Sequence, residues 1–478
     1  MQPFLSWFSR ERFAIVMLFS GILLAACLIP AQSDTWWQLR AGEEMWRTGR
    51  VMLHDEFTHT VNGQHWPNHE WLSHVLFYAL YSLGGLPLLT AFCAAAITLA
   101  WIIVFRLTPG PLLFRVAAVG FGALFSSPAW CLRPQVLTLA LVAVTLWILV
   151  RGRFVWLLPA IFLVWANLHG AVALGGVLVF ASWVACALTD RRALPGFTIV
   201  ACLCLAATAA TPLGISLWLE VPDSLQRLKQ YGVSEWRAPS LLNLGDLPFW
   251  GVAAAAGSLA WINRERLRSR QTLALMIATG LLFVLATRSI RNVPPFLVVA
   301  MPAIAALARF GTARERAARP EARGQLVLNA LTLIAVIVGG LAFVWIAWRT
   351  PIPRLAWTPV PPAAIAAIES CPGPLYNRYD EGGYLIWFVR DRKVFIDSRQ
   401  DPFPEDLVKA HIQLERTGEY QPLFGRYAIA CALSAEGTPL ARRLEGDGWS
   451  TQSAGPGWNV YRRPAVGDSG LASRPPGD

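Results

Sequence analysis

Eleven long apolar segments dominate this chain, and segments of that kind have few places to go. Phe13–Pro30 is the first, followed by 86–106, 112–128, 134–150, 154–168, 170–188, 196–213, 246–262, 271–287, 293–308 and 326–348. A helix needs about twenty apolar residues to cross a bilayer core, and backbone in lipid must satisfy its own hydrogen bonds. The expected fold is therefore a polytopic α-helical membrane bundle of about eleven transmembrane helices. Composition agrees, with 55% hydrophobic residues and only 15% charged among 478. Leu24-Ala25-Ala26-Cys27 has the form of a lipoprotein cleavage box, but the many apolar segments that follow make Phe13–Pro30 the first span.

Charge sets the expected orientation. Leu72–Leu83 is apolar but too short to span. If it stays on one side, Arg10, Arg12, Arg106, Arg115, Arg151, Arg153, Arg191, Arg192 and the clusters Arg264–Arg270 and Arg309–Arg323 all fall on the cytoplasmic face. Leu72–Leu83 is then an interfacial or re-entrant helix. The expected protein is an integral, multi-pass protein of a bacterial inner membrane, with its N-terminus cytoplasmic and its C-terminal domain extracytoplasmic. The net charge of +11 is accounted for by these loops and implies no nucleic acid partner.

The same topology gathers polar residues on the outer face: the loop 31–85, Arg133, Asn167, His169, the loop 214–245, Arg288, Arg291 and everything after 349. Ionisable residues at the ends of several helices on one face line a cavity or a water path. Taken singly, Arg288 and Arg291 also read as snorkelling side chains.

Asp34 follows the first apolar segment directly, and Trp36 and Trp37 suit the headgroup level. A carboxylate held there can act as a general base or a metal ligand, or simply end a helix. Further along the loop stand His54, His59, His65, His69 and His74, five of the seven histidines, interleaved with Asp55, Glu56 and Glu70. Glu70 and His74 share a helix face at i,i+4, so His69, Glu70 and His74 are candidate ligands for a divalent metal. The alternative is histidines that only order a long loop. His69-Glu70-Trp71-Leu72-Ser73-His74 is one residue too long for H-E-x-x-H, which removes the zinc-protease reading.

Past the last span the composition changes. Pro351, Pro353, Pro359, Pro361 and Pro362 form a linker between a membrane domain, 1–350, and a small α/β domain within 351–464. Strands are expected at Tyr384–Val389, Lys393–Ile396, Tyr427–Leu433 and Trp458–Tyr461, and helices at Glu405–Glu415 and Pro439–Leu444. The acids of Tyr379–Tyr384 and Asp397–Asp401 read as turn chemistry and a surface salt bridge, or as an acceptor or metal site. Cys371 and Cys431 can pair in an oxidising compartment if the fold brings them together. The Gly-, Pro- and Ser-rich tail, 465–478, has the composition of a disordered segment.

Asp34-Thr35-Trp36-Trp37, the Gly42…Trp46…Gly49 stretch, His54-Asp55-Glu56-Phe57-Thr58-His59-Thr60, Gly63, Trp66, Glu70-Trp71-Leu72 and Tyr81-Ser82-Leu83-Gly84-Gly85 resemble the first outer loop of GT-C-type membrane glycosyltransferases. That superfamily includes the protein mannosyltransferase, aminoarabinose transferase and oligosaccharyltransferase groups. The resemblance implies a GT-C-like architecture over roughly 10–350 and transfer of a sugar from a polyprenyl-phosphate-linked donor to an acceptor of unknown identity. It also implies an acid in this loop that activates the acceptor or binds a metal, which carries over to Asp34, with Asp55 in reserve. The Asp-x-Asp or Asp-Glu pair of many members is missing, since Thr35 and Trp36 follow Asp34. The next outer loop, Trp130-Cys131-Leu132-Arg133-Pro134-Gln135, holds no acid and supplies no second catalytic carboxylate.

Such a transfer needs a base for the acceptor hydroxyl and cations for the departing phosphate. Asp34 is expected to supply the first and Arg133, Arg288 and Arg291 the second, because guanidinium is permanently charged and planar. Glu70 and His169 are expected to contact sugar or phosphate, with an interhelical histidine the alternative for His169. Two other classes stay open: a flippase for a lipid-linked glycan, for which no paired interrupted spans are present, and a membrane-anchored assembly protein.

Overall fold

The computed structural model describes residues 6–220, 234–310, 322–350 and 352–464. The tail from Ala465 and most of the Arg309–Arg323 cluster lie outside the described residues. The chain divides into two compact units, one of Met1–Gln32, Ala41–Val51 and Asn68–Trp357, the other of Ser33–Arg40, Met52–Pro67 and Thr358–Asp478. Part of the expected first loop is thus grouped with the C-terminal chain.

The first unit is helical. Its long helices are α1 (Arg10–Ala26), α3 (Trp71–Leu107), α4 (Leu112–Ser126), α5 (Gln135–Arg151), α6 (Leu158–Leu168), α7 (Val172–Thr189), α8 (Leu194–Thr208), α9 (Leu247–Ile262), α10 (Arg270–Arg288), α11 (Val293–Leu307) and α12 (Arg323–Arg349). The helix α2 (Ser33–Thr48) is divided between the units. Every expected apolar segment falls on one of these helices. Six helices among the described residues are long and apolar enough to cross a membrane, and Gln135–Arg151, Val155–Leu168 and Leu194–Thr208 are apolar but shorter. By length and composition the structure supports six candidate spans.

α3 is two helices in one. Gly84 (φ −153°) and Gly85 (φ 64°) leave helical geometry between Leu83 and Leu86. Only glycine takes that positive φ at no steric cost, and Pro87 opens the second segment where its missing N–H is harmless. Trp71–Leu83 is therefore a separate short helix, as its length required. Elsewhere small residues let rings sink into the bundle: a Cβ on Gly122 would stand 2.7 Å from the Trp101 ring, and one on Gly175 2.6 Å from the Trp165 ring. α11 is buried from Pro294 to Ala303, which fixes the residues just before it, Ile290–Asn292, in a short 3₁₀ turn.

The second unit contains a four-stranded sheet in the order β1-β2-β4-β3, formed by β1 (Leu375–Tyr376), β2 (Cys431–Ala435), β3 (Ser450–Ser453) and β4 (Trp458–Arg462). β1 runs parallel to β2, and the other two pairs are antiparallel. Helices α13 (Pro362–Glu369), α14 (Tyr379–Phe388), α15 (Glu405–Thr417), α16 (Gln421–Arg426) and α17 (Pro439–Gly446) accompany it. Both expected helices and the Trp458 strand are present, and the Tyr427 strand starts later, at Cys431.

Two expected strands are not. Tyr384–Val389 lies mostly in α14, whose first turn carries Asp380 and Glu381 where the helix dipole favours acids, and whose Gly382 and Gly383 pack so closely that a Cβ there would come within 2.1 Å of the Ile396 carbonyl oxygen and 2.3 Å of the Ser33 carbonyl oxygen. Lys393–Ile396 joins no strand of the sheet. Val394 instead forms a single parallel bridge with Thr58, through His59 N–H to Val394 O (3.0 Å) and Val394 N–H to Phe57 O (3.0 Å).

Cys371 and Cys431 form a disulfide with Cα atoms 6.2 Å apart. In protein purified without reductant both thiols are expected to resist maleimide until they are reduced, read as a mass change on the 371 and 431 peptides. Labelling of both without reduction would contradict the pairing.

Candidate functional site

In the first unit the helix ends assemble a run of charged side chains. Arg133 precedes α5, Arg291 precedes α11, and both reach the same carboxylate, Glu235. Arg133 Nη1 stands 3.1 Å from Glu235 Oε2 and its Nη2 3.3 Å from Oε1, while Arg291 Nη1 is 3.3 Å from Oε1. Arg133 also donates to Gln32 Oε1 at 3.2 Å, and the Arg291 guanidinium lies 5.0 Å from the centre of the Trp236 ring. Burial pushes the Glu235 carboxyl up, but Arg133 and Arg291 hold it below the usual carboxylate range. The three side chains keep between 13% and 30% of their surface, so solutes can reach them. Arg288, expected to join this group, is exposed and makes no side-chain hydrogen bond or ion pair among the described residues.

The second part of this constellation centres on Glu70, at the N-terminal end of α3. His169 Nε2 lies 3.1 Å from Glu70 Oε1, with His69 Nε2 at 3.7 Å and His74 Nε2 at 3.8 Å from the same carboxylate. Trp165 N–H donates to Thr138 Oγ1 (3.0 Å), and Thr138 Oγ1 lies 2.7 Å from His169 Nδ1. With the hydroxyl proton given to Nδ1, the proton of His169 sits on Nε2 and points at Glu70, which fixes the tautomer. Burial pushes His169 down, opposed by Glu70. Burial likewise raises Glu70, but His169 foremost holds it well below the carboxylate range. The pair is an ionised carboxylate on a neutral imidazole. Arg291 Nη2 stands 3.4 Å from His169 Nε2, so the Glu70 cluster abuts the arginine pair.

His169 thus has protein partners on both ring nitrogens. Among the described residues no group of three or more His, Cys, Asp or Glu side chains is arranged to hold a metal ion. His69, Glu70 and His74 are brought together, with both imidazoles 3.7–3.8 Å from the carboxylate.

In the second unit Asp34 occupies the first turn of α2, where the helix dipole favours a carboxylate. Its Oδ1 accepts hydrogen bonds from Ser398 Oγ and from Trp37 Nε1 (3.2 Å), and the same indole reaches Ser398 Oγ at 3.1 Å. The tryptophans are not at a lipid surface. Trp36 is 2% exposed, packed 4.7 Å from Phe388 and 6.0 Å from Trp387, and Trp37 lies 5.8 Å from Trp66. Protein packing, rather than a membrane interface, sets the position of the acid.

Asp55 is completely buried with Asp397 around Arg399. Arg399 Nη2 reaches Asp55 Oδ1, and Asp397 takes Arg399 Nε (2.8 Å), Nη2 (2.6 Å) and the backbone N–H (2.9 Å). Thr58 satisfies the remaining oxygen of Asp55 through N–H (3.1 Å) and Oγ1 (2.7 Å). A carboxylate so enclosed and saturated has the geometry of a structural counter-ion. The salt bridge expected at the surface near Asp397 is therefore an interior one; sequence reasoning misses Glu235 and reads Ser398 and Arg399 only within the Asp397–Asp401 stretch.

No protein-family model matches the chain, and no curated protein matches it by sequence. Solved structures do match its fold. The oligosaccharyltransferase AglB from Archaeoglobus fulgidus, in complex with an inhibitory peptide and a dolichol-phosphate, is similar with a TM-score of 0.56 and 11% identity over 90% of this chain and 70% of that one. The Archaeoglobus fulgidus oligosaccharyltransferase tethered to an acceptor peptide containing the NVT sequon gives 0.55 and 13% over the same shares. The arabinofuranosyltransferase AftD from Mycobacteria gives 0.49 and 17% over 95% of this chain and 40% of that one. The chain shares the fold of these Archaeoglobus fulgidus oligosaccharyltransferase structures.

Proposed function

We propose that this chain, with its GT-C fold, is a membrane glycosyltransferase. In this reading it moves a sugar from a polyprenyl-phosphate-linked donor to an acceptor on the outer face of a bacterial inner membrane. Its N-terminus is cytoplasmic and the unit that carries the Cys371–Cys431 disulfide is extracytoplasmic, where that bond persists. The observation that carries the reading is the convergence of Arg133 and Arg291 on one carboxylate at accessible helix ends. Two planar, permanently charged forks aimed at one anion suit a phosphate. The AglB structure that shares this fold holds a dolichol-phosphate, which supports a lipid-linked phosphate as the ligand.

The acceptor hydroxyl attacks the anomeric carbon, the bond from that carbon to the phosphate oxygen breaks, and the polyprenyl phosphate leaves with the electron pair. Arg133 and Arg291 stabilise the charge that develops on it. Asp34 takes the hydroxyl proton. Glu70 and His169 are positioning residues: the Glu70 carboxylate holds the imidazole, which packs against the Arg291 guanidinium. Arg288 is assigned no part.

The experiment compares two neighbouring arginines. Arg291→Ala is expected to weaken binding of farnesyl phosphate to the detergent-solubilised protein about tenfold or more, because charge-assisted hydrogen bonds are typically worth about 1.5–3 kcal/mol. Arg288→Ala should change it little, since an exposed charge contributes about 0–1 kcal/mol. Equal effects would remove the phosphate site from this place.

A further inference from the structure

Glu235 is the group in the arginine cluster that the reaction does not use, and its chemistry opposes the role of its neighbours. Two guanidinium forks meet on its two carboxylate oxygens at 3.1–3.3 Å. One carboxylate thus engages the donors that a phosphate would need. Any second anion must either share those donors or displace it, because two anions on one pair of cations repel.

The backbone here is pinned independently of that carboxylate. Ser289 Oγ donates to the Glu235 carbonyl oxygen (3.0 Å), and Ile290 N–H donates to the Arg237 carbonyl oxygen (2.9 Å). Arg237 itself grips Asp246 with both Nη atoms, at 2.5 and 2.8 Å, and Ser240 N–H donates to the same acid at 2.8 Å. The Glu235 side chain keeps 30% of its surface. It can therefore swing away from the arginines by side-chain rotation while Ser289, Ile290 and Asp246 keep the chain in place.

We propose that Glu235 is an internal competitor of the donor phosphate. Its carboxylate holds Arg133 and Arg291 in register and yields to the phosphate when the donor binds, so that only an anion able to outbid a tethered carboxylate is retained. This rests on the phosphate reading of the two arginines. A neutral headgroup gains nothing by the exchange, whereas the donor's phosphodiester replaces the carboxylate charge for charge with two oxygens for the two forks, and the released phosphate monoester, like farnesyl phosphate, brings more charge than the carboxylate. Glu235 is in this sense a specificity-determining residue, and it sets the donor KM rather than the chemical step.

Farnesyl phosphate is the probe, titrated into detergent-solubilised full-length protein. Glu235→Gln keeps the size and removes the charge, and it is expected to tighten binding about tenfold, the size of one charge-assisted contact released. With a lipid-linked sugar as substrate the same variant should lower KM and leave kcat near the wild-type value. Glu235→Asp shortens the tether and keeps the charge, so its effect should be smaller and in the same direction. Weaker binding in Glu235→Gln, with Arg291→Ala also weaker, would leave the phosphate site standing and overturn the competitor: Glu235 would be a brace. No change in Arg291→Ala would remove the phosphate reading itself. Should Glu235→Gln be aggregated on size exclusion, Glu235→Asp decides the sign.

Discussion

Asp34→Asn is expected to lower turnover by about two orders of magnitude or more, because a positioned general base contributes about 10²–10⁴-fold. The substitution is close to silent for the fold. An amide keeps the shape of the carboxylate and an oxygen that accepts from Trp37 Nε1 and Ser398 Oγ, which both donate to Asp34 Oδ1. It loses charge and the capacity to take a proton. Trp36 and Trp37 of the same helix are buried in protein, so the residue's placement does not depend on its charge. Farnesyl phosphate binding should survive in the same variant, since it is assigned to arginines. Near-normal turnover in well-expressed Asp34→Asn would make Asp34 a structural acceptor for the indole and the hydroxyl, and the base would have to be sought elsewhere.

Arg399→Met is expected to destabilise the second unit by about 3–5 kcal/mol, the usual cost of removing one partner from a buried ion cluster. The guanidinium is the sole cation between Asp55 and Asp397 in the contacts described, and both acids are fully buried. It is also sandwiched against the Trp66 and Phe57 rings, 4.8 and 5.1 Å from their centres. Methionine would fill part of that space and leave two carboxylates without compensation in an apolar setting. Limited proteolysis provides the readout: the chain from 358 to 464 should become sensitive at temperatures where the wild type resists. The triple substitution Arg399→Met, Asp55→Asn, Asp397→Asn should recover much of that resistance, because no buried charge remains. A resistant single variant would mean that water reaches the cluster and that the ion pairs contribute little.

The helices of the first unit were legible in the sequence because lipid leaves so few solutions. Each apolar run had to be a helix, and the shortness of Leu72–Leu83 set it apart from the span that follows it in α3. The number of spans was less legible, since α5, α6 and α8 are apolar but short. In the second unit local pattern misled. Tyr384–Val389 has the aromatic and branched side chains of a strand, yet it continues a helix that starts at Tyr379 with Asp380 and Glu381 in its first turn, and whose Gly382 and Gly383 pack on Ile396 and Ser33, contacts that no β pattern predicts.

The site divides the same way. Asp34, Arg133, Glu70, His169 and Arg291 stood out as polar residues at the ends of apolar runs, and the structure joins the last four through Glu235 and the His169 imidazole. Glu235 itself carries no sequence signal beyond one acid in a long loop. Ser398 reaches Asp34 across 364 positions and Arg399 reaches Asp55 across 344. Pairings at that separation are created by tertiary packing, and nothing in the neighbouring residues announces them.

The reaction proposed for this chain is sugar transfer from a lipid phosphate. Purified protein in detergent, given a polyprenyl-phosphate sugar radiolabelled in the sugar and a mixture of membrane-derived acceptors, tests it most directly. Label is expected to leave the lipid fraction, with polyprenyl phosphate released in equal amount, in the wild type but not in Asp34→Asn. Binding of the donor without any such release, in wild type and variant alike, would contradict an enzyme and favour a carrier of the lipid-linked sugar.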